Sequence, residues 1–361
     1  MPASPPPPPG PPERTARHGA ARFEDWVHEV RERFARRRGH IPTVVPYTGY
    51  GSTDWVRVFC RVLLSKPRTG DEPSGRRRRR PGQESIRGWR SFTSVPVGDV
   101  PVVIRIGEVR IEVLADRGGV VDTKIPVELA PGWHRAVLST EGSAEVEAPI
   151  LVVSPDTDFG IISDVDDTVM VTALPRPLVA AWNTFVLAEH ARIPTPGMAV
   201  LFERLARSHP GAPVIYLSTG AWNVAPTLTR FLSRNLFPAG PLLLTDWGPT
   251  HDRWFRSGRA HKEQNLRRLA EEFPGIRWLL IGDDGQHDEE LYASFAEDHP
   301  DRVAAVAIRR LSTGEAVLAG GRTKTGEHDD GIPWVSASDG SSLADRLAEA
   351  GVLSGRGGAD A

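Results

Sequence analysis

Cysteine is almost missing from this chain: Cys60 is the single thiol among 361 residues. No internal disulfide can form, which fits a reducing compartment. Its neighbours Val58, Phe59, Val62 and Leu63 make it a buried thiol rather than a reactive one. Long apolar runs are also absent, so no transmembrane helix is expected. The first residues are Met1-Pro2-Ala3-Ser4 and five prolines, with no apolar core of the signal-peptide kind. Together these absences point to the cytoplasm. Net charge is small as well, at −2, which speaks against a general nucleic-acid binder. What remains is an ordinary soluble composition, 40% hydrophobic and 25% charged, in a chain long enough for two domains.

Residues 1–20 are proline-rich without a periodic apolar face and read as a disordered tail. Over 21–40, Phe23, Trp26, Val27, Val30 and Phe34 recur at helical spacing. Arg36-Arg37-Arg38 suits the C-terminal end of that amphipathic helix, and Gly39 can stop it. From 41 to 155 the signals are those of strands: Trp55–Leu63, Val102–Val113, Thr123–Leu129, His134–Leu138 and Ile150–Val153, punctuated by Gly, Pro and Asp. A small β-sandwich or barrel is expected. It holds an arginine-rich loop, 66–88, in which Arg76–Arg80 repel one another. That run reads either as a solvated loop or as a contact to an anionic membrane surface or nucleic acid.

From 156 to 352 strand and helix alternate. Helical stripes occur at Met198, Leu201, Phe202 and Leu205, at Leu228, Phe231 and Leu232, and at Leu266, Leu269, Ala270 and Phe273. Leu343, Leu347 and Val352 make a closing helix, and 353–361 is a flexible tail. Apolar runs at Leu242–Leu244 and Val303–Ile308 add strands. The expected fold class is α/β, a parallel sheet with helices on both faces.

Three apolar runs in this half end in polar residues. Ile161-Ile162-Ser163 leads into Asp164-Val165-Asp166-Asp167-Thr168. Val214–Leu217 leads into Ser218-Thr219, and Trp278–Ile281 into Gly282-Asp283-Asp284. Ligands of an open α/β sheet bind outside the carboxyl ends of such strands. Ionised carboxylates are not buried without a partner. Gathering Asp164, Asp166 and Asp283 in one crevice asks for a cation, and oxygen ligands suit Mg²⁺. A carboxylate nucleophile splits one hard displacement into two, a metal and a lysine screen its meeting with a phosphate dianion, and a second carboxylate moves protons.

Asp164-Val165-Asp166-Asp167-Thr168 resembles the first motif, Asp-x-Asp-x-Thr, of haloacid-dehalogenase-like phosphatases, whose sheet is Rossmann-like. Ser218, Lys262 and Gly282-Asp283 with Asp288 resemble the second, third and fourth motifs, in the same order. The wording around them is similar to the actin-patch-type phosphatidate phosphatase family. This covers Pro196-Gly197-Met198, Tyr216–Asn223, His261-Lys262 and Ile281–Tyr292. Tyr47-Thr48-Gly49-Tyr50-Gly51 and Val62-Leu63 resemble that family's N-terminal domain.

The resemblance implies Asp164 as nucleophile and Asp166 as acid and base. It has Thr168 shape the loop, and Ser218 and Lys262 hold the phosphoryl group, with Thr219 beside them. Asp164, the Asp166 carbonyl and Asp283 would hold Mg²⁺, with Asp288 in support; Asp284 is the alternative to Asp288. The implied reaction is hydrolysis of phosphatidate to diacylglycerol at a membrane surface, without specific nucleic acid. Alternatives are a soluble phosphomonoester or phosphoprotein as substrate, and a non-catalytic phosphatidate-binding module.

Each residue also has a plainer reading. Asp-x-Asp alone is often a turn or a cap. Lys262 reads as opening a helix, where the dipole disfavours a cation, so an anionic partner is expected beside it. His251, His261 and His287 match no compact ligand spacing. Trp182, Trp222, Trp247 and Trp254 read as core or cleft wall, with a substrate-facing role as the alternative for Trp222 and Trp247. The resemblance implies a cap formed by Val169–Thr195; the segment is short, which suits an open cleft, and Arg176 and Arg192 could reach a substrate phosphate or headgroup.

Overall fold

The computed structural model describes residues 30, 32–66, 95–171, 193–245, 251–285, 287–318 and 331–354, with backbone alone over 251–257. The proline-rich tail, Arg76–Arg80, Arg176, Trp182, Arg192 and Trp247 lie outside them, as do the side chains of His251 and Trp254. Of the N-terminal helix, 30 and 32–37 are described as helical.

Two main sheets divide the chain. The first holds β1 (Ile41–Pro46), β2 (Gly49–Ser52), β3 (Trp55–Ser65), β4 (Pro101–Ile106), β5 (Val109–Leu114), β6 (Val120–Pro126), β7 (Gly132–Ser139) and β8 (Val146–Val152). Its order is β1-β3-β2-β8-β7-β4-β5, with β6 paired to β3. Neighbours are antiparallel except β2 and β8. The run Val102–Val113 is a hairpin, not one strand: Ile106 pairs with Val109 across Gly107-Glu108.

β3 shows how this sheet is held. Val56, Val58, Cys60 and Val62 point into its own core, with Ile104, Leu138 and Ile150. Trp55, Phe59 and Leu63, on the other face, join the core of the second sheet. Side chains alternate across a strand, so β3 is apolar on both faces because both are covered. Each such side chain contributes about 1.5–3 kcal/mol when fully buried.

The second sheet is parallel, in the order β13-β12-β9-β14-β15-β16. These strands are β9 (Phe159–Asp164), β12 (Val214–Ala221), β13 (Leu242–Thr245), β14 (Arg277–Asp283), β15 (Val303–Arg309) and β16 (Trp334–Ala337). Every residue of β9 is buried, which requires cover on both faces. Helices α1 (Met198–Ser208), α2 (Ala225–Arg234), α3 (His251–Glu272), α4 (Asp288–Asp298), α5 (Thr313–Leu318) and α6 (Gly340–Glu349) complete this half. α1 packs on α6, and α3 on α4. Pro226 lies in the first turn of α2, where its missing donor does no harm. Chain order runs one way from β9 to β12 and β13, and the other way from β14 to β15 and β16. The reversal between β9 and β14 is a topological switch point, where α/β sheets bind ligands.

The segment after the first carboxylates starts and ends in a short antiparallel pair, β10 (Met170–Val171) with β11 (Ile193–Pro194). The rest of the expected cap lies outside the described residues.

Candidate active site

The crevice at the switch point brings together Asp164, Asp283, Asp288 and Lys262. Asp164 ends β9 and Asp283 ends β14, the two strands being neighbours. Asp288 opens α4 one short loop later. Carboxylate oxygens of Asp164, Asp283 and Asp288 lie within 4.8 Å of one another, all three buried. Asp284 points elsewhere: its Oδ1 accepts from the Leu311 amide at 2.8 Å. Asp288, not Asp284, is therefore the second acidic group at the cluster.

Lys262 lies among these carboxylates. Its Nζ is 2.6 Å from Asp164 Oδ1 and 2.6 Å from Asp288 Oδ1. It does not open a helix, however. α3 already runs from His251, so Lys262 sits in its interior. Gly258 and a polar first half hid that beginning from the sequence. The glycine serves a close approach instead, since a Cβ there would come within 2.9 Å of Thr219 Cγ2. What holds the ammonium is the carboxylate pair, not the helix end.

The electrostatics of the cluster are unbalanced. Burial pushes the Asp164 carboxyl well up; Lys262 pulls it down, and Asp288, Asp166 and Asp283 push it further up. Asp283 is raised by burial and by the charges of Asp288 and Asp167. Burial acts to lower Lys262, but Asp164 and Asp288 outweigh it and hold it well above its usual range. One ammonium thus faces three buried carboxylates. The Oδ2 atoms of Asp283 and Asp288 are buried without a hydrogen-bond partner. Orphaned buried carboxylate oxygens at the two ends of one short loop are what a divalent cation with hard oxygen ligands would satisfy.

The loop after β9 is tightly turned. Val169 and Met170 both donate their amides to the Val165 carbonyl, at 3.0 and 3.1 Å. Asp167 adopts φ 59, the left-handed region that asparagine and aspartate enter more readily than other non-glycine residues. Ser218 lies where the register of β12 against β13 shifts, between Leu217 and Ala221. Such irregularities re-aim side chains. Ser218 Oγ donates to Asp166 Oδ2 at 2.9 Å and accepts from the Gly220 amide at 3.0 Å. Thr219 is half-buried, and its carbonyl accepts from Thr245 Oγ1 at 2.9 Å. Thr168 is fully buried.

Gly282 has a steric duty. A Cβ there would meet Tyr292 Cε2 at 2.8 Å and Asp288 Oδ2 at 2.9 Å. The Gly-Asp pair thus lets Asp288 fold back over the end of β14.

Other expected residues take structural places. Trp222 is buried and stacks on Tyr47 of the turn between β1 and β2, ring centroids 4.6 Å apart. Burial holds His261 near 4, and its carbonyl accepts from Asn265 Nδ2 at 2.8 Å. His287 is exposed beside Glu290. Among the described residues, the cluster of Asp164, Asp283 and Asp288 is the one group placed to hold a metal.

One residue escaped the sequence reading. Arg309, the last residue of β15, is buried at 4% exposure. Its Nη1 donates to the Asp167 carbonyl at 2.6 Å and its Nη2 to Glu315 Oε1 at 2.7 Å. An arginine closing an apolar strand was the available signal.

Comparison with known proteins converges on the same half of the chain. Residues 159–310 match the family model described as the catalytic domain of phosphatidate phosphatase APP1. Over these residues the chain is similar to that catalytic-domain family. Phosphatidate phosphatase APP1 of Saccharomyces cerevisiae is 28% identical over 167 residues, covering 45% of this chain and 28% of the yeast protein. An uncharacterized protein of Schizosaccharomyces pombe is 26% identical over 164 residues, covering 45% of this chain and 26% of its own. The chain thus aligns with little more than a quarter of either relative. Among solved structures, a carbohydrate acetylesterase from Xanthomonas citri aligns at 11% identity. It covers 78% of this chain and 73% of its own, with a TM-score of 0.28, too low to carry an argument. The APP1 catalytic-domain match spans β9 to the residue after β15 and so contains all the carboxylates of the crevice.

Proposed function

We propose that this chain is a Mg²⁺-dependent phosphatase that hydrolyses a phosphate monoester, phosphatidate, to diacylglycerol and inorganic phosphate. The observation that carries the reading is the meeting of Asp164, Asp283 and Asp288 around Lys262, inside a stretch matching the APP1 catalytic domain. In this reading 156–352 form a haloacid-dehalogenase-like, Rossmann-like domain, and 41–155 a β-domain packed on it that helps it meet a membrane surface. No described helix is long and apolar enough to cross a membrane.

Asp164 is the nucleophile. Its carboxylate oxygen attacks phosphorus, and the bond to the leaving oxygen breaks. Asp166 gives a proton to that oxygen, then takes one from the water that attacks the aspartyl phosphate. The second displacement frees inorganic phosphate and restores Asp164. The hydrogen bond from Ser218 fixes the rotamer of Asp166. Ser218, Thr219 and Lys262 hold the phosphoryl oxygens, Lys262 supplying the positive charge, and Thr168 shapes the loop beneath. Asp164, the Asp166 carbonyl and Asp283 would hold Mg²⁺, supported by Asp288. That ion would act as a Lewis acid on the phosphoryl oxygens.

The test is phosphate release from phosphatidate vesicles and from a panel of soluble phosphomonoesters and phosphoproteins, with and without Mg²⁺. Release from phosphatidate that needs Mg²⁺ and vanishes in a folded Asp164→Asn variant is expected. Turnover confined to soluble substrates would overturn the lipid assignment. Binding of phosphatidate without turnover of any ester would leave a binding module in place of an enzyme.

A further inference from the structure

Arg309 stands between the two loops that carry the clustered carboxylates. Its backbone is part of β15, paired in register with Asp283 of β14. Its carbonyl accepts from the Asp284 amide at 3.0 Å. Its side chain reaches past β14 to the β9 loop, where Nη1 donates to the Asp167 carbonyl at 2.6 Å. A single residue thus bonds to the neighbour of Asp166 on one loop and the neighbour of Asp283 on the other.

The guanidinium is itself fixed. Glu315 Oε1 accepts from Nη2 at 2.7 Å, and Glu315 Oε2 accepts from the Ser312 amide at 2.7 Å. The Leu311 amide returns to Asp284 Oδ1 at 2.8 Å. The segment from Arg309 to Glu315 therefore closes a ring of hydrogen bonds with both loops. The acceptor matters too. Asp167 has φ 59, and a non-glycine residue in the left-handed region persists when its surroundings over-determine it. A planar, always-charged donor held by a carboxylate is suited to that task, where a flexible ammonium is less so. Such a charge-assisted bond to a buried carbonyl is stronger than a neutral one.

We propose that Arg309 is a positioning residue. Through the Asp167 carbonyl and the Asp284 amide it sets the separation of the β9 and β14 loops, and with it the fit of Asp164 and Asp283 to a divalent cation. This rests on reading that pair as the metal-holding carboxylates. Arg309 touches neither metal nor substrate; it acts through Asp167 and Asp284. Partners bonded directly to a metal ligand are typically worth about 10–100-fold in metal affinity, and Arg309, one residue removed from the ligands, stands at the low end of that range.

The experiment measures Mg²⁺ binding by calorimetry in wild type, Arg309→Lys, Arg309→Gln and Glu315→Gln. Hydrogen exchange across 165–170 is followed in the metal-free proteins. Arg309→Gln is expected to weaken Mg²⁺ by about 10-fold and to speed exchange in the loop. Arg309→Lys, which can still donate to the Asp167 carbonyl, is expected to recover part of both. Glu315→Gln shifts both in the same direction by less, and stands in if Arg309→Gln does not fold. Unchanged metal affinity and unchanged exchange in the folded variants would overturn the proposal. If wild type binds no Mg²⁺, the metal reading falls and loop exchange alone decides the role of Arg309.

Discussion

Tyr50 donates its phenolic hydrogen to Glu272 Oε2 at 2.7 Å, tying β2 of the first sheet to the last residue of α3. The other oxygen of Glu272 accepts from Arg57 Nη2 at 2.7 Å and Nε at 3.1 Å. Around this bond Tyr50, Trp55 and Phe273 pack ring on ring, at centroid distances of 5.5–6.0 Å. The helix carrying Lys262 is therefore anchored on the β-sheet half.

Replacing Glu272 tests that anchor. The carboxylate is 8% exposed and Arg57 16%, so Glu272→Leu takes one of two carboxylates from a half-buried guanidinium, which keeps Asp122 at 2.5 Å, and leaves the Tyr50 hydroxyl without its acceptor. A loss of about 1–3 kcal/mol is expected from leaving the buried hydroxyl unpaired and removing the charge-assisted bonds, read as a lower urea midpoint. Glu272→Gln keeps an acceptor for Tyr50 and should lose less. A Glu272→Leu loss below about 1 kcal/mol, the level of an exposed pair, would show that this carboxylate does not couple the halves.

The same region shows what the sequence could and could not reveal. Ile161–Thr168, Ser218 and Gly282–Asp288 were legible because a buried parallel strand is a short apolar run and its end is abrupt. The two faces of β3 were not legible as such. Trp55, Arg57, Phe59 and Leu63 look like a partly alternating strand until a partner far along the chain covers them. β16 was missed because its residues are half-buried at a sheet edge. Arg309 was missed because its acceptor is a backbone carbonyl, which leaves no trace in residue type.

Gly282→Ala is a small change with a directed consequence. The added methyl would overlap Asp288 Oδ2 and the Tyr292 ring, and both neighbours are buried. Tyr292 is pinned by its hydrogen bond to the Ile281 carbonyl at 3.0 Å, so Asp288 is the group that must give. Overpacking of this kind costs about 1–3 kcal/mol. The expected outcome is a folded protein with weaker Mg²⁺ binding and an ion pair to Lys262 disturbed from the Asp288 side. Unaltered Mg²⁺ affinity in calorimetry would count against the steric argument.

Metal addition should stabilise the protein through its carboxylates. A ligand bound to the folded state alone contributes about 2.7 kcal/mol at 100 times its Kd. Mg²⁺ should accordingly raise the melting temperature of wild type. Asp283→Asn removes one of the orphaned oxygens and relieves repulsion from Asp288 and Asp167. That variant is expected to melt higher than wild type without metal and to respond weakly to Mg²⁺. A full Mg²⁺ response in Asp283→Asn would remove it from the metal-holding set.

His261 gives the chain a pH dependence away from the carboxylates. Burial holds its imidazole near 4, below the usual 6.5; a hydrogen bond to the Leu243 backbone opposes this, and Arg268 and Lys262 add to it. Between these two values the unfolded chain takes up a proton that the folded one refuses. Stability from this residue is thus complete above about 6.5 and is lost as pH falls toward 4. The full span corresponds to about 3 kcal/mol at 1.36 kcal/mol per unit. His261→Gln, which cannot titrate, should flatten that part of the stability profile while leaving other acid-sensitive groups in place. Urea midpoints of the two proteins at pH 7 and at pH 4.5 supply the comparison. The gap between them should narrow on acidification, and an equal loss in both proteins would mean that His261 is already charged in the folded state.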